Sequence, residues 1–183
     1  MRVIAGSAKG IRLARVPPGV RPVSDRAREG VFSSLAVELP GARVLDLFAG
    51  TGALGIEALS RGSDEAVFVE RNRAALRALR ENLDRTGLES RSRVVAAEAA
   101  GFLDRPEHSD RAFDLVLADP PYDAPTALVE RVLAALDRGW LGTPATVALT
   151  RRSRSSTPVI PVHWLVARRL EYGDTAVLIF REA

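Results

Sequence analysis

The 183-residue sequence has no cysteine, which removes disulfides, thiolate zinc sites, iron–sulfur clusters and thiol nucleophiles from its possible chemistry. Histidine is almost as scarce, with only His108 and His163. Two scattered imidazoles are expected to be surface or satisfied core residues, so no metal is expected. Apolar runs long enough for a signal or membrane helix are missing, as are internal repeats and low-complexity linkers. The expectation is a soluble, cytoplasmic chain with one sizeable core and a short appendage packed on it.

Acidic residues are almost absent from the first 28 positions. Arg2, Lys9, Arg12, Arg15, Arg21, Arg26 and Arg28 stand there against Asp25 alone, a balance of +6, while the other 155 residues sum to −3. Such an arm is the electrostatic footprint of contact with a phosphate backbone; the plainer reading is a solvated basic tail. A transit peptide fits poorly, because Gly6, Gly10, Pro17, Pro18, Gly19 and Pro22 would break its amphipathic helix.

From Arg43 onward, strand-like apolar runs alternate with helical stretches, as in a parallel sheet covered by helices on both faces. Strands are expected at Val44–Phe48, Ala66–Glu70, Arg93–Ala97, Phe113–Ala118 and Thr146–Thr150, and helices at Gly52–Arg61, Ala74–Arg85 and Thr126–Leu136. Trp164–Tyr172 and Thr175–Phe180 are joined by Gly173-Asp174 alone, too short for a parallel crossover and therefore an antiparallel hairpin. Five parallel strands closed by such a hairpin is the arrangement of Rossmann-like methyltransferases; dinucleotide-binding domains usually end in a parallel strand. Residues 2–16 alternate around a Gly-Ser-Ala-Lys-Gly turn and suggest a small hairpin. Ser24 then suits the N-cap of a helix whose apolar face is Val31, Phe32 and Leu35.

The first strand runs into Asp46-Leu47-Phe48-Ala49-Gly50-Thr51-Gly52-Ala53-Leu54-Gly55, which contains G-x-G-x-x-G, and Glu70 follows Gly50 by twenty residues. By itself this also fits a nicotinamide fingerprint. Asp46 separates the readings, because a carboxylate there would repel a pyrophosphate but favours the ammonium and sulfonium of S-adenosylmethionine. The glycines admit the methionine and ribose portion closely, and Glu70 can accept from the ribose hydroxyls. Glu98, past the third strand, is either an adenine contact, by side chain or neighbouring backbone, or a solvated loop acid.

Asp119-Pro120-Pro121-Tyr122 stands at the carboxyl end of the fourth strand. Ligands in such sheets bind where the strand order reverses, here between the first and fourth strands, so Asp46, Gly50 and Asp119 should share one crevice. An exocyclic base amine is a poor nucleophile, its lone pair being delocalised into the ring. Asp119 and the Pro120 carbonyl could each accept one amine hydrogen and leave the lone pair aimed at a methyl carbon. Both prolines stiffen the loop, and Tyr122 offers a face for an extruded base. The alternative is a plain turn in which the aspartate caps the next helix.

With these residues the chain resembles the bacterial 16S rRNA guanine-N2 methyltransferases of the RsmD type over nearly its full length. The resemblance rests on Arg2-Val3-Ile4-Ala5-Gly6 with Lys9-Gly10, on Arg21-Pro22-Val23-Ser24-Asp25-Arg26-Ala27-Arg28-Glu29 with Phe32, on Asp46–Gly55 running into Glu57-Ala58-Leu59-Ser60-Arg61-Gly62, and on Asp119-Pro120-Pro121-Tyr122. It implies an α/β, Rossmann-like class I S-adenosylmethionine methyltransferase fold. That fold is a seven-stranded, mostly parallel sheet with an antiparallel C-terminal hairpin, plus a small N-terminal hairpin and helix. Residues 1–40 would form the basic appendage for RNA contact and lid, and residues 41–183 the catalytic domain.

The implied catalytic residues are Asp119, Pro120, Pro121 and Tyr122. Asp46, Phe48, Ala49, Gly50, Thr51, Gly52, Glu70, Arg71, Glu98, Ala99 and Asp119 would hold S-adenosylmethionine, and Arg2, Lys9, Arg12, Arg21, Ser24, Arg26 and Arg28 would serve as substrate or lid contacts. Val23 and Ser24 stand where the family commonly shows two threonines, so a hydroxyl contact at position 23 is lost. The implied partner is 16S rRNA, within the 30S subunit or an assembly intermediate, and the implied state a monomer. Two rivals remain. A DNA adenine or cytosine amino-methyltransferase usually carries a sizeable recognition domain, for which there is no room between Glu98 and Asp119; a non-catalytic RNA-binding module would not need Asp46, Gly50, Gly52, Glu70 and Asp119.

Overall fold

A computed structural model of the chain describes residues 1–17, 23–105 and 112–182. Seven strands form one sheet in the order β3-β2-β1-β4-β5-β7-β6. They are β1 (Arg43–Leu47), β2 (Glu65–Glu70), β3 (Ser92–Ala96), β4 (Phe113–Ala118), β5 (Leu141–Arg152), β6 (Trp164–Tyr172) and β7 (Thr175–Glu182). β1 to β5 pair in parallel, whereas β7 runs antiparallel to both β5 and β6. The hairpin that Gly173 turns therefore does not simply extend the edge: its second arm is inserted between β5 and β6.

Burial follows sheet position. The central strands β1 and β4 are buried along nearly their whole length, while the edge strands β3 and β6 are mostly half-buried or exposed. One face packs under α1 (Asp25–Ser34), α2 (Ala53–Ser60) and α3 (Arg73–Thr86), around Phe32, Leu35, Ile56, Phe68, Leu79 and Leu115. The other packs under α4 (Ala99–Leu103) and α5 (Thr126–Leu136), where the Trp140 ring lies 4.9 Å from that of Phe102 and its indole N–H donates to the Leu103 carbonyl at 3.1 Å.

Local signals start and stop α1 and α3 close to where the sequence predicts. Ser24 caps α1 by accepting from the Ala27 amide at 3.2 Å, and Asn72 caps α3 through the amides of Ala74 and Ala75. Gly87 closes α3 in the left-handed conformation, with φ 68°. Two features differ from the sequence reading. β5 begins at Leu141 rather than Thr146, because pairing of Phe113 with Leu141 extends it through a Gly-Thr-Pro segment of poor intrinsic strand propensity. α4 was not expected: it is only five residues long, contains Gly101, and its Ala99, Ala100, Phe102 and Leu103 are all buried, which leaves no helical stripe to recognise.

The N-terminal turn is held as one Arg2–Arg12 bridge with flanking backbone bonds, Val3 N–H to Ile11 O and Leu13 N–H to Met1 O. Val3, Ala8 and Leu13 are buried in the same core as α1, α2 and α3. Among the described residues no helix is long and apolar enough to cross a membrane. His108 lies outside the described residues; His163 pairs with Asp137 at 2.9 Å.

Candidate active site

The carboxyl ends of β1 and β4 neighbour each other, with Leu47 opposite Ala118 in the register. The strand order reverses at this point, so the chain leaving β1 and the chain leaving β4 open a crevice between them. The Asp119 amide donates to the Leu47 carbonyl at 3.3 Å, tying the two exits together. A cavity of about 510 Å³ fills the crevice, lined by Asp46, the 48–51 loop, Glu70 and Arg71, residues 97–99 and the whole Asp119–Tyr122 segment. Met1, Val16 and Val23 also line it, so the N-terminal segment supplies part of the wall.

Leaving β1, Phe48 takes a left-handed backbone, φ 59°, the one non-glycine residue to do so among the described residues. Such conformations are costly and concentrate at functional loops. Gly52 follows at φ 79°, and a Cβ there would come 2.2 Å from a methyl carbon of Leu79. The loop is then pinned from three directions. Gly50 N–H donates to Glu70 Oε2 at 2.8 Å, Ala49 N–H to the Val69 carbonyl at 3.1 Å, and the Thr51 carbonyl accepts from Asn82 Nδ2 at 2.9 Å.

Asp46 is 1% exposed. Its Oδ2 accepts from the Gly55 amide at 2.9 Å, while Oδ1 is buried with no hydrogen-bond partner among the described residues. Burial, reinforced by the neighbouring charges of Asp119 and Glu70, pushes its pKa up to about 8 against the opposing pull of the Gly55 amide. A cavity lined by Asp46, which carries an orphaned carboxylate oxygen, and by Glu70, Glu98, Asp119 and Asp123 is electrostatically fitted to a ligand that brings a cation. The methionine ammonium of S-adenosylmethionine meets that requirement. Among the described residues, these acids do not gather closely enough to hold a metal ion.

Glu70 divides its carboxylate between the Gly50 amide and the Asn72 amide, the latter at 2.6 Å. It thus shapes the loop as well as facing the cavity. Glu98 is the N-cap of α4, accepting from the Gly101 amide at 2.9 Å, a role outside both readings of it from sequence. Tyr122 is half-buried; its hydroxyl hydrogen-bonds to the Thr175 hydroxyl of β7, and the Arg152 guanidinium carbon lies 5.3 Å from the centre of its ring.

The basic residues of the arm separate into two groups. Arg2, Lys9 and Arg26 are exposed and surround a second cavity of about 320 Å³ with Asp25 and Glu29, and Arg12 is exposed beside them in sequence. Arg28 does not join them. It is fully buried, donating to the Arg2 carbonyl and Asp25 at 2.7 Å each and lying 3.6 Å from Glu57, so the expectation of a substrate contact there is corrected to a structural role. Ser24 is spent on capping α1. Arg21 lies outside the described residues.

Three residues to which the sequence reading gives no role hold the arm in place. Glu57, fully buried on α2, accepts from the amides of Ile4 and Ala5 at 2.8 and 3.0 Å. Ser60 accepts from the Ala8 amide and donates to the Ala5 carbonyl. Asn82, also fully buried, accepts from the Ala14 amide at 2.6 Å through Oδ1 while Nδ2 holds Thr51. The available signal was polarity out of place: a glutamate in the apolar run of α2, and an asparagine between Leu79 and Leu83 on the buried stripe of α3.

The chain matches the family Conserved hypothetical protein 95 over residues 1–181. It is 36% identical over 187 aligned residues to "Ribosomal RNA small subunit methyltransferase D" of Escherichia coli K12, covering all of this chain and 91% of that protein. The protein of the same name from Haemophilus influenzae is 28% identical, over 99% and 93% of the two chains. A solved structure of a hypothetical protein from Thermus thermophilus superposes with a TM-score of 0.83 at 34% identity, covering 98% of each chain.

Proposed function

The chain belongs to the Conserved hypothetical protein 95 family, and from that premise we propose that it is an S-adenosylmethionine-dependent methyltransferase acting on the exocyclic N2 amine of a guanine in 16S rRNA. The substrate is the 30S subunit or an assembly intermediate, and the enzyme works as a cytoplasmic monomer. The observation that carries the reading is that Asp46, a buried carboxylate with one unpartnered oxygen, lines the same cavity as Asp119 and Tyr122. A cation site and a base-amine site share one crevice. The name borne by the E. coli relative supports rRNA as the substrate class.

In this reading Asp46 takes the ammonium of the methionine portion, the 48–52 backbone lies along it, and Glu70 with Arg71 borders the ribose. Because Glu98 is engaged in capping, the backbone at Ala97–Ala99 borders the adenine. Bound there, S-adenosylmethionine supplies an electrophilic methyl carbon on a positively charged sulfur. Asp119 and the Pro120 carbonyl each accept one hydrogen of the guanine amine, which turns its lone pair toward that carbon. The cofactor would give up its methyl group to that lone pair and leave as the neutral thioether. Positive charge moves to the nitrogen, beside Asp119, and is relieved when one amine proton leaves for solvent. No base is needed before attack. Tyr122 bounds the position of the extruded base, with its ring fixed by Thr175.

Incubating the protein with labelled S-adenosylmethionine and 30S particles from a strain lacking the gene, followed by nucleoside mass spectrometry, tests the reading. The expected product is N2-methylguanosine. Asp119→Ala should melt cooperatively and bind the cofactor while losing two to three orders of magnitude in single-turnover rate, roughly the cost of one preorganised electrostatic contact. Product carrying the methyl on adenine or cytosine, or a near-normal rate for Asp119→Ala, would overturn it.

A further inference from the structure

The mild charge of the chain beyond the arm conceals a second uneven stretch. From Arg138 to Leu170 there are six arginines and no aspartate or glutamate. Three of them have evident partners: Arg138 lies 3.6 Å from Asp104, Arg169 pairs with Glu171 at 2.9 Å, and Arg151 turns inward to the Thr126 hydroxyl at 3.3 Å. The other three, Arg152, Arg154 and Arg168, are exposed, and among the described residues none has a carboxylate within ion-pair distance.

These arginines are not on a loose tail. Past β5 the chain turns with Ser153 N–H bonded to the Asp174 carbonyl at 2.9 Å and Ser155 N–H to the Arg152 carbonyl at 3.0 Å. Arg169 clamps the turn from β6, donating to the Ser153 carbonyl at 2.9 Å. Register aligns the set: Arg152 stands opposite Thr175 and Arg168 opposite Ile179, alternate positions of β7 that share one face of the sheet. The two lie about 14 Å apart along the strand direction, from a rise of about 3.4 Å per residue over four positions of β7. Arg152 closes the gap to the active site by lying over the Tyr122 ring.

We infer that Arg152, Arg154 and Arg168 form a second RNA-backbone contact, separate from the N-terminal arm and continuous with the target-base site at Tyr122. The inference rests on the RNA methyltransferase reading above. A set of unneutralised guanidinium groups on a fixed turn and the strands beside it suits phosphate oxygens, which they can bind bidentately, and an extruded base must be flanked by its own phosphates. Ser155 in that turn, with Ser156 and Thr157 directly after it, supplies further hydroxyl donors. A merely solubilising basic surface has no reason to meet the tetrapeptide.

The test is the salt dependence of binding to undermethylated 30S particles, measured for the intact protein and for R152Q/R154Q/R168Q. Each lost phosphate contact should lower the slope of log affinity against log salt by about 0.7, so a fall of up to about 2 is expected, with S-adenosylmethionine affinity unchanged. R152K/R154K/R168K should recover most of the slope. If the triple variant fails to melt cooperatively, R154Q/R168Q decides, since neither side chain makes a hydrogen bond among the described residues. An intact protein that methylates 30S particles together with an unchanged slope in the variants overturns this assignment alone. Methylation of duplex DNA but not of rRNA by the intact protein overturns the underlying reading and the assignment with it.

Discussion

Asp46 is a carboxylate that the fold deprives of both water and counter-charge, and its titration should report what binds beside it. Its folded pKa of about 8 lies far above the ordinary carboxylate value. Between that ordinary value and pH 8 the folded, cofactor-free protein therefore holds a proton that the unfolded chain has released. By linkage its stability declines as pH rises through this interval. Denaturant melts at pH 5 and pH 8 should show the decline, and Asp46→Asn should flatten it. A cationic ligand reverses the balance by favouring the ionised form. Cofactor binding near pH 7 should release up to one proton and strengthen as pH rises toward 8, by at most about tenfold per unit. Calorimetry in two buffers of different ionisation enthalpy counts that proton, and finding none would mean Asp46 is already ionised. At Tyr122 the hydroxyl bond to Thr175 refines an expectation based on the ring alone. Tyr122→Phe should cost about 1 kcal/mol of stability with little loss of rate, whereas Tyr122→Ala should lose about 1–3 kcal/mol of base stacking and slow transfer accordingly.

The arm, the glycine loop and α3 meet at one side chain. Asn82 bonds the Ala14 amide with its oxygen and the Thr51 carbonyl with its nitrogen, so the chain approaching the cavity wall and the loop lining the cavity share a support. Asn82→Leu should orphan both groups at about 1–3 kcal/mol each and raise KM for cofactor and RNA together. A rise in only one of the two would show that the arm and the loop are held independently. How much of this was legible in the sequence depended on periodicity. The alternating strands, the capped helices α1 and α3, the glycine loop and the acid-proline-proline-tyrosine turn all declare themselves over a few neighbouring residues. Asn82, Glu57 and Thr175 act across 68, 52 and 53 positions, and nothing in their flanks reveals the partner. The expectation of a substrate or lid contact at Arg28 fails for the same reason, since an arginine's sequence neighbours do not say whether it turns outward or inward to Glu57. Gly6 shows the arm's attachment from the opposite side: a Cβ there would lie 1.7 Å from the Ser60 carbonyl oxygen, so the turn seats directly on the end of α2.

Across the whole molecule, strand order and chain order part company at one place. β7 follows β6 in sequence but lies between β5 and β6 in the sheet. During synthesis β6 therefore emerges with no neighbour to pair with, and β5 waits as an open edge. Thr175, which fixes Tyr122, arrives with β7. Ribosome-stalled chains ending shortly after Tyr172 should remain protease-sensitive at β6 and bind cofactor without methylating. Chains that expose residues through Glu182 should gain protection and activity in one step, which pulse proteolysis along a series of stall lengths would show. Gradual protection beginning before Thr175 would argue against this order. The inserted strand thus sets an order in which Tyr122 should gain its Thr175 anchor only once the rest of the sheet is present, and in the proposed reading a half-made chain would not modify the ribosome still making it.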